Sequence, residues 1–381
     1  MRAGRATITI MTSPAETPID AVPAGTVDTA PGTVVTAEGT VLALRREDRL
    51  EIYDTETFLG GGAPLSAVDV PATAPAAPLG GGAVIAEADR IRSVGADGGI
   101  RWELPHPPWL GRSGPAKAPG APAVSPDGTL VGVLVPAPDG GTECGEPLPD
   151  GLPRLCRGRD VLLLVDAADG RIRAARPLNS RASVVTQRWH PGGRLLGVSC
   201  WTAWYSWSTW WVAPRRDGLH LRGGTRMREV VGFVPGTERP LTLRRAERLA
   251  PDDDRDELAV HDITADEPVV RYDLAELTGR EPDGPSDDTD SADGADGGHR
   301  ESDAVFEDVC TLNAGQLLVT ARQQLPGRRP AARHWLCSAA TLRPLGTLRY
   351  PEPPGPATAL GDGTWLTEGP RGFCRWSLPA R

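Results

Sequence analysis

Seven times along this chain a short glycine-bearing turn separates two runs of strand-forming residues. The turns are Ala37-Glu38-Gly39-Thr40, Gly80-Gly81-Gly82-Ala83, Ser125-Pro126-Asp127-Gly128, His190-Pro191-Gly192-Gly193, Val234-Pro235-Gly236-Thr237, Asn313-Ala314-Gly315-Gln316 and Gly361-Asp362-Gly363-Thr364. Apolar runs follow them, as at 130–135, 195–198 and 317–319. Measured at Gly39, Gly82, Gly128, Gly193, Gly236, Gly315 and Gly363, the intervals are 43, 46, 65, 43, 79 and 48 residues. The two long intervals hold an inserted loop rich in Pro, Gly and Asp (136–160) and an acidic low-complexity linker (279–303). Without these segments the two intervals become 40 and 54 residues, roughly the common length. A unit repeated at this pitch buries its apolar face only against its neighbours, and so dictates a repeat architecture.

A second landmark follows each turn, an apolar strand that ends in a polar turn, as at Ile52-Tyr53-Asp54-Thr55, Leu164-Val165-Asp166 and Val260-His261-Asp262. Asp-Gly and related pairs close hairpins because they accept positive φ. Each unit therefore reads as four antiparallel strands, the blade of a β-propeller. The expected fold is all-β, one seven-bladed propeller across residues 1–381, with six or eight blades as alternatives. Glycine and proline, 45 and 38 residues, suit many tight turns and oppose long helices. The best helical stretch, 272–277, is short. The seventh unit lacks a fourth strand after Cys374-Arg375-Trp376. An N-terminal strand is expected to close this last blade, and Ala6-Thr7-Ile8-Thr9-Ile10 is the candidate, paired with 373–377.

The Ser125-Pro126-Asp127-Gly128 turn before an apolar strand, and Tyr53-Asp54 at a strand end, resemble WD40-type and YVTN-type seven-bladed propellers. The segment Ala96-Asp97-Gly98-Gly99-Ile100-Arg101-Trp102 is similar to a quinoprotein-type repeat. The chain has no Trp-Asp dipeptide, and the resemblance implies a fold without carrying over any functional residue.

The formal net charge is −9, which sets the chain against nucleic acid or an anionic membrane as a general partner. Lys117 is the only lysine, so no Walker A or kinase-type lysine pattern exists. Residues 1–12 lack the apolar core of a secretory signal, and the longest aliphatic run, 161–165, is far below spanning length. A cytoplasmic, monomeric protein is expected. Cys200, Cys310, Cys337 and Cys374 lie in strand-like runs and read as small buried hydrophobes. Cys144 and Cys156 share the loop 136–160, as free thiols or as a disulfide. Zinc lacks a ligand set there, and the carboxylates of 283–303 do not follow a calcium-loop pattern. Neither a metal nor a cofactor is expected.

No Gly-x-Ser-x-Gly occurs, and no catalytic residue is assigned. Of the six histidines, His106 and His334 are expected on long loops, and His190 stands where Ser125 stands in the repeat. In a blade, the loop between second and third strands shares a face with the connection between blades. The long segments 136–160, 248–257 and 323–333 take the first position, and 105–121 and 279–303 the second. The remaining turns are expected to be tight throughout. One face therefore carries the elaboration. Five of eleven tryptophans crowd residues 201–211. Trp201, Trp210 and Trp211 are expected to fill space on strands, and Trp204, Tyr205 and Trp207 to sit at the turn between them. Such rings bind partners or wedge beneath neighbouring loops. With His106 and Trp109 they form the candidate partner-binding set. The functional expectation is a non-catalytic scaffold for a protein partner. The alternative is a lactonase- or hydrolase-like enzyme with its site in the central channel.

Overall fold

At the repeat turn, Gly128 and Gly193 have φ of +70° and +67°, a region that penalises a Cβ. Each donates its N–H to the carbonyl three residues back, Ser125 and His190 respectively, at 2.8 Å. Ser125 and His190 in turn donate to the carbonyls of Leu130 and Leu195 at 2.8 Å, which sets the register of the hairpin. The structure is a computed structural model that describes residues 17–30, 32–38, 41–109, 120–136, 160–180, 182–202, 206–244, 256–265, 268–274, 277, 304–323, 331–369 and 371–379.

The strands assemble into seven sheets. Blade 1 comprises Thr33–Glu38, Val41–Arg46, Arg49–Asp54 and Ser66–Asp69. Blade 2 comprises Ala76–Leu79, Gly82–Ala86, Arg90–Val94 and Ile100–Pro105. Ala123–Val124, Leu130–Pro136, Asp160–Asp166 and Ile172–Leu178 form blade 3. Ala182–Trp189, Leu196–Thr202, Ser206–Arg215 and Gly218–Arg226 form blade 4, and Glu229–Phe233, Pro240–Arg244, Glu257–His261 and Pro268–Asp273 form blade 5. Blade 6 has Ala304–Asn313, Gln316–Gln323, Ala331–Ser338 and Pro344–Arg349, and blade 7 has Ala357–Ala359, Trp365–Gly369 and Gly372–Ser377. First strands of successive blades touch from blade 2 round to blade 1, and blades 1 and 2 meet through the fourth strand of one and the second of the next. The chain is a seven-bladed β-propeller, and the alternatives of six or eight blades are settled.

The fourth strand of blade 7 is Val22–Asp28, antiparallel to Gly372–Ser377 with Val22 opposite Ser377 and Asp28 opposite Gly372. An N-terminal strand does close the ring, but the edge expected for residues 6–10 is taken by 22–28. Residues 6–10 lie outside the described residues. Pro18–Asp20 adds a fifth, parallel strand to blade 6 along Thr347, Leu348 and Arg349.

The apolar core lies between blades. Seven buried clusters occupy the seven seams, as with Leu241, Leu258, Val309 and Trp335 between blades 5 and 6. Burying each such Leu or Val contributes about 1.5–3 kcal/mol. Blades 2 to 7 share a further device. Their fourth strands carry one extra residue against the third, at Arg101, Arg173, Arg222, Val269, Leu345 and Ala24 in turn. A bulge increases local twist and swings the outer strand towards the next blade. Trp102 Nε1 thus donates to the Ala167 carbonyl of blade 3 at 2.9 Å, and Arg176 Nη1 to the Leu219 carbonyl of blade 4 at 2.6 Å.

Blade 1 breaks the expectation of tight turns between third and fourth strands. A helix, Thr55–Leu59, stands there, capped by the Asp54 carboxylate accepting from Thr57 N–H at 3.0 Å. Its Phe58 is buried against Tyr53 and Phe373, at ring distances of 5.0 and 5.7 Å, and seals the seam between blades 7 and 1. No helix among the described residues is long and apolar enough to cross a membrane.

Candidate interaction face

The strand ends place every long connection but one on a single face. Segments 137–159, 245–256 and 324–330 join second to third strands, while 106–122 and 274–303 join blades. The exception is 55–65, on the opposite face. Residues Gln323 and Arg333 lie within strands, so the connection in blade 6 is shorter than the expected 323–333. The inserted loop with Cys144 and Cys156, and the acidic linker 279–303, lie outside the described residues.

At the tip of blade 4, Trp201 on the second strand stands directly opposite Trp207 on the third. Their rings meet edge to face at 5.6 Å. Trp207 was expected at the turn but belongs to the strand Ser206–Arg215 and is 7 % exposed. The turn itself is shorter, 203–205, and Trp204 and Tyr205 within it lie outside the described residues. Trp210 and Trp211 are fully buried, Trp211 against the seam with blade 5, as space-fillers on the strand.

The tip is bonded to blade 5. The Trp207 carbonyl accepts from Met227 N–H at 2.8 Å, and Met227 holds φ +58°. The neighbouring Arg228, which leads into the first strand of blade 5, is buried and pairs through Nη2 with Glu257 Oε1 on the third strand of that blade. Thr209 Oγ1 donates to the Arg228 carbonyl at 2.6 Å, Ser199 Oγ donates to Thr209 Oγ1 at 2.6 Å, and Val230 N–H donates to Ser199 Oγ at 2.7 Å. Thr186 Oγ1 donates to Glu229 Oε1 at 2.6 Å. This relay holds the aromatic tip rigidly on two blades. Sequence reasoning misses it, since Arg228, Glu229 and Glu257 follow no motif and find their partners only through pairing within blade 5 and contact with blade 4.

His106 and Trp109 come together on the connection from blade 2 to blade 3. Their N–H groups donate to the carbonyls of Asp89 and Ala88, at 2.9 and 3.1 Å, pinning the segment to the turn between second and third strands of blade 2. The two rings meet at 6.4 Å, and Trp109 packs on the core between blades 3 and 4. His106 Nδ1 lies 2.7 Å from the Pro107 carbonyl, and burial pulls its pKa below the ordinary histidine range. It is thus a neutral donor at that atom.

The other described histidines are engaged within the fold. His334, expected on a loop, stands on the third strand of blade 6 and is 0 % exposed, because that strand begins at Ala331. His261 Nε2 lies 2.8 Å from Thr242 Oγ1, a hydroxyl–imidazole pair, but both groups are buried and desolvation brings the imidazole pKa to about 3. Such a group is far from the range of a general base at neutral pH. His220 makes a surface pair with Asp217 at 2.9 Å. Cys200 and Cys337 are buried, and Cys310 and Cys374 half-buried, all four on strands and outside any disulfide. Among the described residues no group of three or more His, Cys, Asp or Glu is placed to hold a metal ion.

No family model matches the chain, and no curated protein does so. Among solved structures it is similar to the Pan2 WD40 domain of Neurospora crassa, at 9 % identity and TM-score 0.49 over 95 % of each chain. It is similar to the Dos1 propeller at 10 % identity and TM-score 0.43 over 97 % of each. A third likeness is to the dihydro-heme d1 dehydrogenase NirN, at 14 % identity and TM-score 0.46, covering 91 % of this chain and 62 % of that one. At such identities the likenesses concern the fold alone. The sheet topology makes the chain a seven-bladed β-propeller.

Proposed function

We propose that the protein is a non-catalytic scaffold that binds a protein partner through the face carrying the long connections, with the aromatic tip of blade 4 as its anchor. The observation that carries this reading is the Trp201–Trp207 pair, on the two strands that flank positions 204 and 205 in sequence, bonded towards blade 5 through Met227 N–H and the Arg228 carbonyl. Rigid aromatic residues backed by a bonded frame lose little freedom on binding and dominate protein interfaces. His106 and Trp109 extend the surface towards blade 2.

The test is affinity capture from the native cell with the wild-type chain and with Trp204→Ala/Tyr205→Ala. These two positions are chosen because Trp207 is buried and its removal would confound binding with folding. The expected result is an unchanged melting temperature and loss of the captured partner. An unchanged set of captured proteins from the well-folded variant contradicts the proposal.

A further inference from the structure

Among the described residues, blade 6 holds three buried side-chain polar atoms without a hydrogen-bond partner, Trp335 Nε1 on the side of blade 5, and His334 Nε2 and Thr320 Oγ1. His334 and Thr320 stand directly opposite each other on adjacent strands and are 0 % and 1 % exposed. Directly opposed residues project from the same face of a sheet, here the face turned to blade 7, where Tyr350 and Trp365 complete the contact.

The proton on His334 can be placed from its neighbours. Trp365 Nε1, which can only donate, lies 2.9 Å from Tyr350 Oη. Tyr350 Oη accepts that bond and keeps its own proton for His334 Nδ1, 2.8 Å away. Neutral His334 therefore carries its hydrogen on Nε2, where no described residue accepts it. Blade 5 solves the same problem directly, with Thr242 Oγ1 at 2.8 Å from His261 Nε2. There the histidine sits two positions beyond the residue opposite its threonine, which is Ala259. In blade 6 the two residues are squarely opposed and the imidazole is turned to Tyr350, so the direct bond is not made.

We propose that one water molecule is bound between His334 Nε2 and Thr320 Oγ1 as a permanent part of the seam between blades 6 and 7. The ligand must both accept from an imidazole N–H and bond a hydroxyl, within a wall of Leu318, Leu336, Ala357 and Ala359. Water meets that description, whereas an ion would lose its hydration without a countercharge. With it, Trp365, Tyr350, His334, the water and Thr320 form one hydrogen-bonded chain that ties blade 7 to blade 6.

Two measurements on the wild-type protein decide the matter. A high-resolution crystal structure is expected to show density within hydrogen-bonding distance of both atoms. NMR of histidine-labelled protein is expected to show the Nε2–H tautomer of His334, with a cross-peak from that hydrogen to a bound water. A direct Nε2–Oγ1 bond, or an Nδ1–H tautomer, overturns the proposal. Thr320→Val should abolish the water cross-peak and leave the tautomer, which Tyr350 sets, unchanged. Should that variant fail to fold, Thr320→Ser, which keeps the hydroxyl, is expected to retain the cross-peak, and its loss there contradicts the assignment.

Discussion

His190 Nε2 donates to the main-chain carbonyl of Thr237 at 2.9 Å, joining the first hairpin turn of blade 4 to that of blade 5. The direction follows from the other nitrogen, since Nδ1 accepts from Gly192 N–H at 2.9 Å. The ring also meets Phe233 edge to face at 5.2 Å. The residue thus caps its own turn as Ser125 does in blade 3, and reaches the next blade as serine cannot. His190→Ala is expected to cost about 2 kcal/mol from the lost bond and ring contact. His190→Ser should recover roughly half of this, since it restores the turn without the inter-blade bond. Urea denaturation of the pair checks the order.

Stability should fall on mild acidification. His261 and His334 both have folded pKa values of about 3, desolvation being the first cause in each, against an ordinary value near 6.5. The folded state therefore keeps them neutral while the unfolded state takes up protons. Their contribution is complete above about pH 6.5 and is lost progressively as pH falls towards about 3. Each accounts for about 2 kcal/mol between pH 7 and pH 5. The urea midpoint should drop over that interval, and His261→Gln and His334→Gln should each flatten the slope. An equal midpoint at both pH values would be incompatible with two buried neutral imidazoles.

Gly346 permits the fifth strand of blade 6. A Cβ there would stand 2.5 Å from the Thr17 carbonyl and 2.7 Å from Ile19 Cδ1. Gly346→Ala is therefore expected to release Pro18–Asp20 from Thr347–Arg349 while the seven blades persist. Hydrogen exchange at Ala21, whose N–H donates to the Arg349 carbonyl at 2.9 Å, should rise by at least tenfold, with little change elsewhere.

Val22–Asp28 supplies the closing strand, so residues 1–16 are expected to be dispensable for the ring. Their deletion should leave the melting temperature nearly unchanged. Val27, buried in the seam between blades 7 and 1, is the contrasting position, and Val27→Ala is expected to cost about 2 kcal/mol.

The hairpin turns were legible because positive φ restricts chemistry. Gly128 and Gly193 announce a turn wherever the chain places them, and regular spacing then implies blades. Strand ends were less legible. Sequence places Trp207 and His334 in loops, because polar and aromatic residues at a strand mouth do not show where pairing starts. The closing strand was missed for a sharper reason. Val-Pro-Ala-Gly-Thr-Val-Asp looks unfit for a sheet, yet an outermost strand tolerates Pro23 at its solvent edge, and its bulge falls between Pro23 and Gly25. The bulges on the fourth strands have no residue signature at all, since Arg101, Val269 and Ala24 serve alike. Of the candidate face, the Trp-rich segment is visible in sequence, whereas the Thr186–Glu229 bond that ties it to blade 5 depends on two blades being adjacent.

The register of closure can be read chemically. Thr26 stands opposite Cys374 in the pairing of the N-terminal strand with Gly372–Ser377, within the separation that a disulfide spans. Thr26→Cys, oxidised and digested, should yield a peptide pair linked between positions 26 and 374, with a raised melting temperature. Recovery of free thiols at both positions in the folded protein would contradict a ring closed by Val22–Asp28.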